Sequence, residues 1–350
     1  MPRDSRHAPL TVIKGIEGSE AGRDRAHGAS GPRIAVLIPC YNEEKTIGKV
    51  VDDFIRALPG ASVFVYDNNS GDATAEIARA HGAEVRFEGR QGKGITVRQM
   101  FRDIDADVYL MVDGDDTYPA DAARALIDPI LEGRADMTVG DRLSNGAYAS
   151  ENTRAFHGFG NDLVRWLIRI IYGYSFHDVM TGYRAMSGLF VRTMPVLSPG
   201  FQLECELSIQ AVDRRWRILE VPVAYRDRPP GSVSKLSTVS DGVRVLMAIG
   251  ALFKECRPLK FFLLVAGVFL ALGLVAGLPV VEEFLRTGYV SKVPSAVLAV
   301  GLVFCSALAC STGVILDTVA KATRRQWELE VYAERSRREH GDDWFGDPAR

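Results

Sequence analysis

Two stretches of the chain, Phe261–Val281 and Val293–Leu316, contain no charged residue. A helix of about 20 apolar residues is long enough to cross the hydrocarbon core of a bilayer. One such run can be the core helix of a soluble protein. Two of them, separated by a short connector, read as a membrane hairpin over 259–318, with spans at about 261–281 and 293–316. The connector carries Glu282, Glu283, Arg286 and Lys292. The outer flanks are more basic, with Lys254, Arg257 and Lys260 before the first span and Lys321, Arg324 and Arg325 after the second. Basic flanks stay on the cytoplasmic side. The expectation is an integral, multi-pass protein of the cytoplasmic (inner) membrane, with both termini and everything ahead of the hairpin in the cytoplasm.

The rest of the 350 residues is enough for one large soluble domain. A formal net charge of −2 gives no global attraction to nucleic acid. The five cysteines, Cys40, Cys205, Cys256, Cys305 and Cys310, are odd in number and scattered, which argues against a disulfide framework or a zinc site and for a reducing compartment. Residues 1–32 are rich in Gly, Arg, Asp and Ser and hold no apolar core of signal-peptide length, so they read as a disordered tail.

Between 33 and 238 the pattern is that of a folded domain. Ile34–Pro39, Ser62–Tyr66, Glu84–Phe87, Asp107–Val112 and Asp136–Val139 read as strands. Between them, Ile47, Val50, Val51, Phe54, Ile55 and Leu58 recur at helical spacing, and helices are expected at Asp72–His81, Ile95–Ile104 and Ala120–Leu131. Alternation of strands and helices predicts an α/β domain with a mostly parallel sheet. The pattern is less regular from Leu143 to Thr238, with helices expected at Leu163–Tyr172 and Phe201–Trp216, a strand at Ile218–Tyr225, and a basic Gly/Pro/Ser-rich loop at Arg226–Ser237. Residues 239–258, centred on Asp241–Cys256, mix Val243, Leu246, Met247 and Ile249 with Arg244 and Lys254, the pattern of a juxtamembrane amphipathic helix lying in the interface or of an amphipathic linker. The interleaved charges of 319–350 read as a solvated cytoplasmic helix.

In a parallel α/β sheet, ligands bind beyond the carboxyl ends of the strands. Three polar clusters fall there: Tyr41–Glu44, Asp67–Ser70 and Asp113–Asp116. A dinucleotide fingerprint does not follow the first strand, and Gly92-Lys-Gly94 lacks the spacing and the Ser/Thr of a phosphate loop. Asp113-Gly-Asp115 directly follows an apolar strand. Two carboxylates two residues apart suit a hard divalent cation, Mg²⁺ or Mn²⁺, that would neutralise charge developing on a diphosphate leaving group.

Taken in order, Val36–Glu44, Asp67–Thr74 and Val112–Pro119 resemble the nucleotide-sugar half of family 2 glycosyltransferases. Asp178–Arg184, Phe201–Glu206, Glu220–Val223 and Arg228–Leu236 narrow the resemblance to polyprenyl-phosphate sugar synthases, the group of dolichol-phosphate mannose synthases and bactoprenol glucosyltransferases. The resemblance implies a GT-A fold, Rossmann-like with a mostly parallel sheet, followed by the interfacial helix and the two-helix hairpin. It implies a UDP- or GDP-sugar donor contacted by Pro39, Tyr41, Glu43, Asp67, Asn69 and Lys93, with Asp113 and Asp115 at the metal and diphosphate. It implies Asp115, Asp178, Arg228 and Lys235 in the catalytic step, with Glu204 and Glu206 nearby. The chain departs from the pattern at Thr117, where related synthases often carry Gln, and Asp116 is an additional acid.

A lipid phosphate presented at a bilayer surface needs cationic donors at that height, and Arg offers it planar bidentate contact. Arg142, Arg154, Arg228, Ser234 and Lys235 are the candidates. With a second pKa near about 6, a phosphate monoester is mostly dianionic at neutral pH and needs no strong base to attack an anomeric carbon. The function expected is inverting transfer of a hexose from a nucleotide-sugar to a polyprenyl phosphate at the cytoplasmic face of the bilayer, with a homo-oligomer left open. Two alternatives compete. A processive polysaccharide or glycolipid synthase would share the fold, but Gln210 and Arg215-Trp216 do not match a QxxRW acceptor motif. A non-catalytic nucleotide-binding membrane scaffold would not require Asp113, Asp115, Arg228 and Lys235.

Overall fold

In the computed structural model, the described residues are 31–144, 155–229 and 238–340. Strand β1 (Ile34–Cys40) shows how the sheet is built. Its side chains alternate between faces: Val36 and Ile38 join one core cluster, Ala35 and Leu37 the other. On the first face, α1 (Ile47–Ala57) packs Ile47, Val50, Val51 and Phe54, joined by α2 (Thr74–Ala80) and α4 (Ala123–Leu131), the latter preceded by a single 3₁₀ turn. On the second, α3 (Lys93–Asp103) contributes Val97 and Met100. Ile55, expected on the apolar stripe, is 40% exposed. It sits one residue past Phe54, about 100° round the helix and beyond the buried arc.

The sheet has seven strands in the order β3-β2-β1-β4-β6-β5-β7. The other strands are β2 (Ser62–Asp67), β3 (Glu84–Phe87), β4 (Val108–Met111), β5 (Met137–Asp141), β6 (Arg184–Ser187) and β7 (Ile218–Pro222). All pairings are parallel except those of β6, which runs antiparallel between β4 and β5. The sequence pattern does not reveal β6 or the helix after it, α6 (Gly188–Thr193). The strand is short and begins with a charged residue. Arg184 is fully buried, and its guanidinium donates to Thr181 O (3.0 Å), Val179 O (2.6 Å) and Ser208 Oγ (2.8 Å). A buried Arg whose three guanidinium nitrogens are each hydrogen-bonded reads as a surface residue to any hydropathy argument.

The remaining helices are α5 (Ala155–Tyr172), α7 (Leu203–Asp213), α8 (Thr238–Cys256), α9 (Pro258–Thr287) and α10 (Val293–His340). α8 buries Val245 and Ile249 against Val164 and Ile168 of α5 and Cys205 and Ile209 of α7, while Val243 and Met247 stay exposed. Its outward side thus mixes apolar Val243, Leu246 and Met247 with Arg244, a pattern open to both an interfacial and a linker helix. α9 and α10 are long and apolar enough to cross a membrane. They pack through small residues: a Cβ on Gly273 would lie 3.1 Å from Val303, one on Gly277 3.2 Å from Ala299, and Ser306 Oγ donates to Ala266 O across the pair. Close approach at Gly, Ala and Ser is how apolar helices associate where no hydrophobic force acts between them. Glu282, Glu283 and Arg286 are part of α9 rather than of a connector, and α10 continues unbroken past its apolar stretch. The distal part of α10 is not a freely solvated helix, because Trp327 is buried against Trp216 and Thr193 of the α/β domain.

Candidate active site

The carboxyl ends of β1, β2 and β4 open onto a cleft of about 340 Å³. Pro39 lines it from the end of β1, Tyr41 and Glu43 from the loop that follows, Asn68 from just past β2, and Asp113 and Asp115 from the loop after β4. Lys93 enters from the start of α3, Glu204 from the start of α7, and Arg142, Tyr225 and Arg228 close the other side.

Each acid of the Asp113-Gly-Asp115 turn is paired with a cation from elsewhere in the chain. Lys93 Nζ lies 2.5 Å from Asp113 Oδ1 and 2.7 Å from Glu204 Oε1. Burial alone would lower the Lys93 pKa, but the two carboxylates outweigh it and raise it. Arg228 Nη2 lies 2.5 Å from Asp115 Oδ2. Burial and the neighbouring Asp113 push the Asp115 carboxyl above its usual range, against the opposing pull of Arg228 and Thr117. Thr117 explains its own departure from the family pattern. Its backbone N–H (3.2 Å) and hydroxyl (2.6 Å) both donate to Asp115 Oδ1 and orient that carboxylate. The additional acid, Asp116, has φ 60° and pairs with Lys49 at 2.6 Å, and it does not line the cleft.

Two glycines are required by close approach. A Cβ on Gly182 would lie 2.5 Å from Asp113 Oδ2, so the Thr181-Gly182-Tyr183 segment leaves room for that carboxylate. A Cβ on Gly94 would lie 1.9 Å from Ser198 O, so Gly92-Lys-Gly94 serves to seat the 198–199 backbone against the start of α3. Glu206 anchors this same loop, accepting from the N–H groups of Leu197 (2.9 Å) and Ser198 (2.8 Å). It supports the site from behind and does not line it.

Three other expected residues fall elsewhere. Asp178 is fully buried, and its carboxylate receives both Nε (2.6 Å) and Nη2 (3.0 Å) of Arg142. It holds Arg142, whose guanidinium also stacks 5.2 Å from the Tyr225 ring, and does not itself reach the cleft. Asp67 is buried at the end of β2, where it accepts from Ser70 N. Asn69, with φ 64°, is turned outward, and its neighbour Asn68 takes the lining position. Asn68 also braces the cleft wall, donating to Glu88 O and Arg90 O and accepting from Gly92 N. The sequence reading missed Asn68, Phe201 and Tyr118 as lining residues. Tyr118 was legible as the aromatic following the acidic turn, and its hydroxyl meets Thr181 Oγ1 and Gly182 N. Arg154, Ser234 and Lys235 lie outside the described residues.

Asp113 and Asp115 are the carboxylates that could hold a divalent cation. Among the described residues there is no group of three or more His, Cys, Asp or Glu side chains arranged as a complete metal site. Two hard oxygen donors suit an ion that keeps its other positions for phosphate and water.

The model of Glycosyl transferase family 2 matches residues 35–187. Glycosyltransferase AglJ of Haloferax volcanii is 33% identical over 297 residues, spanning 84% of this chain and 95% of that protein. The dolichyl-phosphate hexose transferase of the same organism is 33% identical over 212 residues, spanning 61% of this chain and 90% of that protein. The crystal structure of glucosyl-3-phosphoglycerate synthase from Mycobacterium tuberculosis with UDP superposes with a TM-score of 0.53 at 22% identity, covering 64% of this chain and 80% of the synthase. The same enzyme with Mn²⁺, UDP-glucose and phosphoglyceric acid gives 0.51 at 25% identity, covering 65% and 80%. The α/β domain has the GT-A fold, and the chain belongs to glycosyl transferase family 2.

Proposed function

We propose that this glycosyltransferase moves a hexose, with inversion, from a UDP- or GDP-sugar to a polyprenyl phosphate at the cytoplasmic face of a membrane. The observation that carries this reading is the pairing of a cleft holding Asp113, Lys93, Asp115, Arg228 and Arg142 with a chain that runs on through α8 into two apolar helices. A phosphate-rich donor and a phosphate-bearing lipid are the two ligands that such a cleft, at such a place, would serve. The dolichyl-phosphate hexose transferase relative supports the acceptor class, and the UDP-glucose and Mn²⁺ complex supports the donor class.

In this reading Asp113 and Asp115 hold Mg²⁺ or Mn²⁺, which would supply positive charge to the diphosphate. Lys93 and Arg228 are charged groups already in place beside it. Arg142, aimed by Asp178 and flanked by Tyr225, receives the acceptor phosphate, together with Ser234 and Lys235 from the segment after Arg228. A phosphate oxygen of the lipid attacks the anomeric carbon while the bond from that carbon to the donor diphosphate breaks. Configuration inverts, and the nucleoside diphosphate leaves. No proton need be removed from a dianionic phosphate, so no side chain is assigned as an obligatory base.

The test is a donor screen on purified full-length protein. UDP- and GDP-sugars are each mixed with polyprenyl phosphate and Mg²⁺ or Mn²⁺, and the lipid is weighed by mass spectrometry. A gain of one hexose from one donor is the expected result. A lipid unchanged by every donor, with nucleotide binding intact, would overturn the acceptor assignment. Orientation is read separately: a cysteine at Tyr289, in the turn between α9 and α10, should label only from the non-cytoplasmic side.

A further inference from the structure

α10 is 48 residues long and unbroken, which at about 1.5 Å per residue makes a rod of about 70 Å. That is roughly twice what a bilayer core needs. Its apolar part ends at Leu316, and the rest is fastened to the catalytic domain at three successive levels. Nearest the apolar part, Arg324 Nη2 lies 2.6 Å from Asp213 Oδ2 at the end of α7. The same carboxylate faces Arg257, the residue before α9, with Nη2 3.3 Å from Oδ1. One buried acid thus joins the catalytic domain to both apolar helices. At the next level Trp327 is 8% exposed, sits edge-on to Trp216 with centroids 5.6 Å apart, and lies under Arg214 at 4.9 Å. Its indole N–H donates to Thr193 O, a terminal carbonyl of α6, at 2.9 Å. Farthest out, Glu334 pairs with Arg192, and Arg338 donates to Ala106 O at 3.3 Å. A Cβ on Gly188 would lie 2.6 Å from Ala106 O, so the start of α6 sits close against the carbonyl that Arg338 also meets.

A solvated tail would not bury a tryptophan and satisfy its only donor. Nor would it spread contacts along α6, α7 and the loop before β4, which together back the second face of the sheet. We infer that residues 317–340 are a strut: they fix the height and tilt of the catalytic cleft above the bilayer, with Trp327 as the anchoring residue and Asp213 as the joint. Trp327 lines no part of the cleft, so it is a positioning residue. The geometry has a reason. An acceptor phosphate sits at a depth set by its lipid, and small misplacements of reacting groups cost large factors in rate. A domain tethered only through α8 and the 257 corner would pivot, and a second attachment removes that freedom. This inference rests on the reading of α9 and α10 as membrane spans.

The test uses the full chain reconstituted in nanodiscs. A dye is placed on Glu132→Cys, an exposed site at the far end of α4, with Cys256, Cys305 and Cys310 replaced by serine; Cys40 and Cys205 are buried. Energy transfer to a headgroup-labelled lipid reports the distance of the domain from the bilayer. Trp327→Ala should lower the mean transfer and broaden its distribution. Two alanines inserted after Ala320 should do the same, since they turn the distal helix by about 200° and carry Trp327 to the opposite side. Trp327→Phe, which keeps the ring stacking, should restore most of the signal. In parallel, Trp327→Ala should raise KM for a bilayer-embedded acceptor about tenfold. Nucleotide affinity should stay within about twofold, because the cleft itself is untouched. Unchanged energy transfer in Trp327→Ala, in protein that resists carbonate extraction from membranes, overturns the strut alone. Wild-type protein released by carbonate overturns the span reading, and the strut with it. A loss of nucleotide affinity equal to the loss of acceptor use would make Trp327 a part of the catalytic fold and overturn its positioning role.

Discussion

Arg228 Nη2 and Asp115 Oδ2 are 2.5 Å apart, so the chain's own guanidinium holds a position that a divalent cation on Asp113 and Asp115 would share. Ion and Arg228 therefore compete for one carboxylate. Arg228→Ala is expected to tighten Mn²⁺ binding to the nucleotide-free protein by about tenfold, the equivalent of one charge-assisted hydrogen bond. The same variant should lose transfer to the lipid. Titration followed by electron paramagnetic resonance reads the first effect. An unchanged Mn²⁺ affinity would place the ion away from Asp115.

Asp115 is expected to trade stability for activity. Its carboxyl is pushed up by burial and by Asp113. An acid whose folded pKa lies above its unfolded value, about 3.9 for Asp, carries no penalty below that value. As pH rises through it, the unfolded chain ionises first and the fold loses stability. Asp115→Asn removes this penalty while its amide oxygen can still accept from Thr117. In metal-free buffer at neutral pH, Tm should rise by about 2–4 °C, and the gain should shrink as pH is lowered. Transfer should fall by about 100-fold or more. A lower Tm would mean that the lost pairing with Arg228 outweighs the relief of burial.

Lys93 bridges two acids in a buried setting. Lys93→Met leaves Asp113 and Glu204 facing each other without a cation, and is expected to cost about 3 kcal/mol. Adding Glu204→Gln should recover part of that stability without restoring transfer, because Asp113 stays unpaired beside the donor. Thermal unfolding of the single and double variants checks this. A double variant no more stable than Lys93→Met would locate the strain elsewhere.

Asp178 tests positioning against base catalysis. If it only aims Arg142, Asp178→Asn should lower kcat/KM for the acceptor by about tenfold and leave the pH–rate profile unchanged in shape. A loss nearer 1,000-fold, with the acidic limb of the profile gone, would identify a general base. Arg142→Ala should be the more destabilising change, since it strands a fully buried carboxylate.

Much of the catalytic domain was legible because its signals are local. The apolar runs of β1, β2 and β4 and the helical spacing in α1 follow from burial on one or both faces, and the acidic turn after β4 shows directly in the sequence. Strand β6 was not legible. Arg184 becomes an interior residue only because the carbonyls of Val179 and Thr181 turn towards its guanidinium and the distant Ser208 joins them, which the fold decides. The site divides in the same way. Lys93, Asp113, Asp115, Arg142 and Arg228 are motif residues whose strands and loops end at one edge. Whether Asp67, Asn69, Asp178 and Glu206 also face that edge depends on side-chain direction, which the turn at Asn69 and the burial of Asp178 decide.

By itself, the sequence determined that the chain holds an α/β domain with acids at the carboxyl edge of its sheet and two helices apolar enough for a membrane. Period, charge and run length are properties of consecutive residues, and burial acts on them in the same way in any fold. Only the tertiary structure decided which cation meets which acid, that Thr117 steadies Asp115, and that the charged end of α10 is bound through Trp327 and Arg324 to the catalytic domain. Those outcomes depend on contacts between residues far apart in the chain, and a contact of that kind exists only once the fold has brought both partners to the same place.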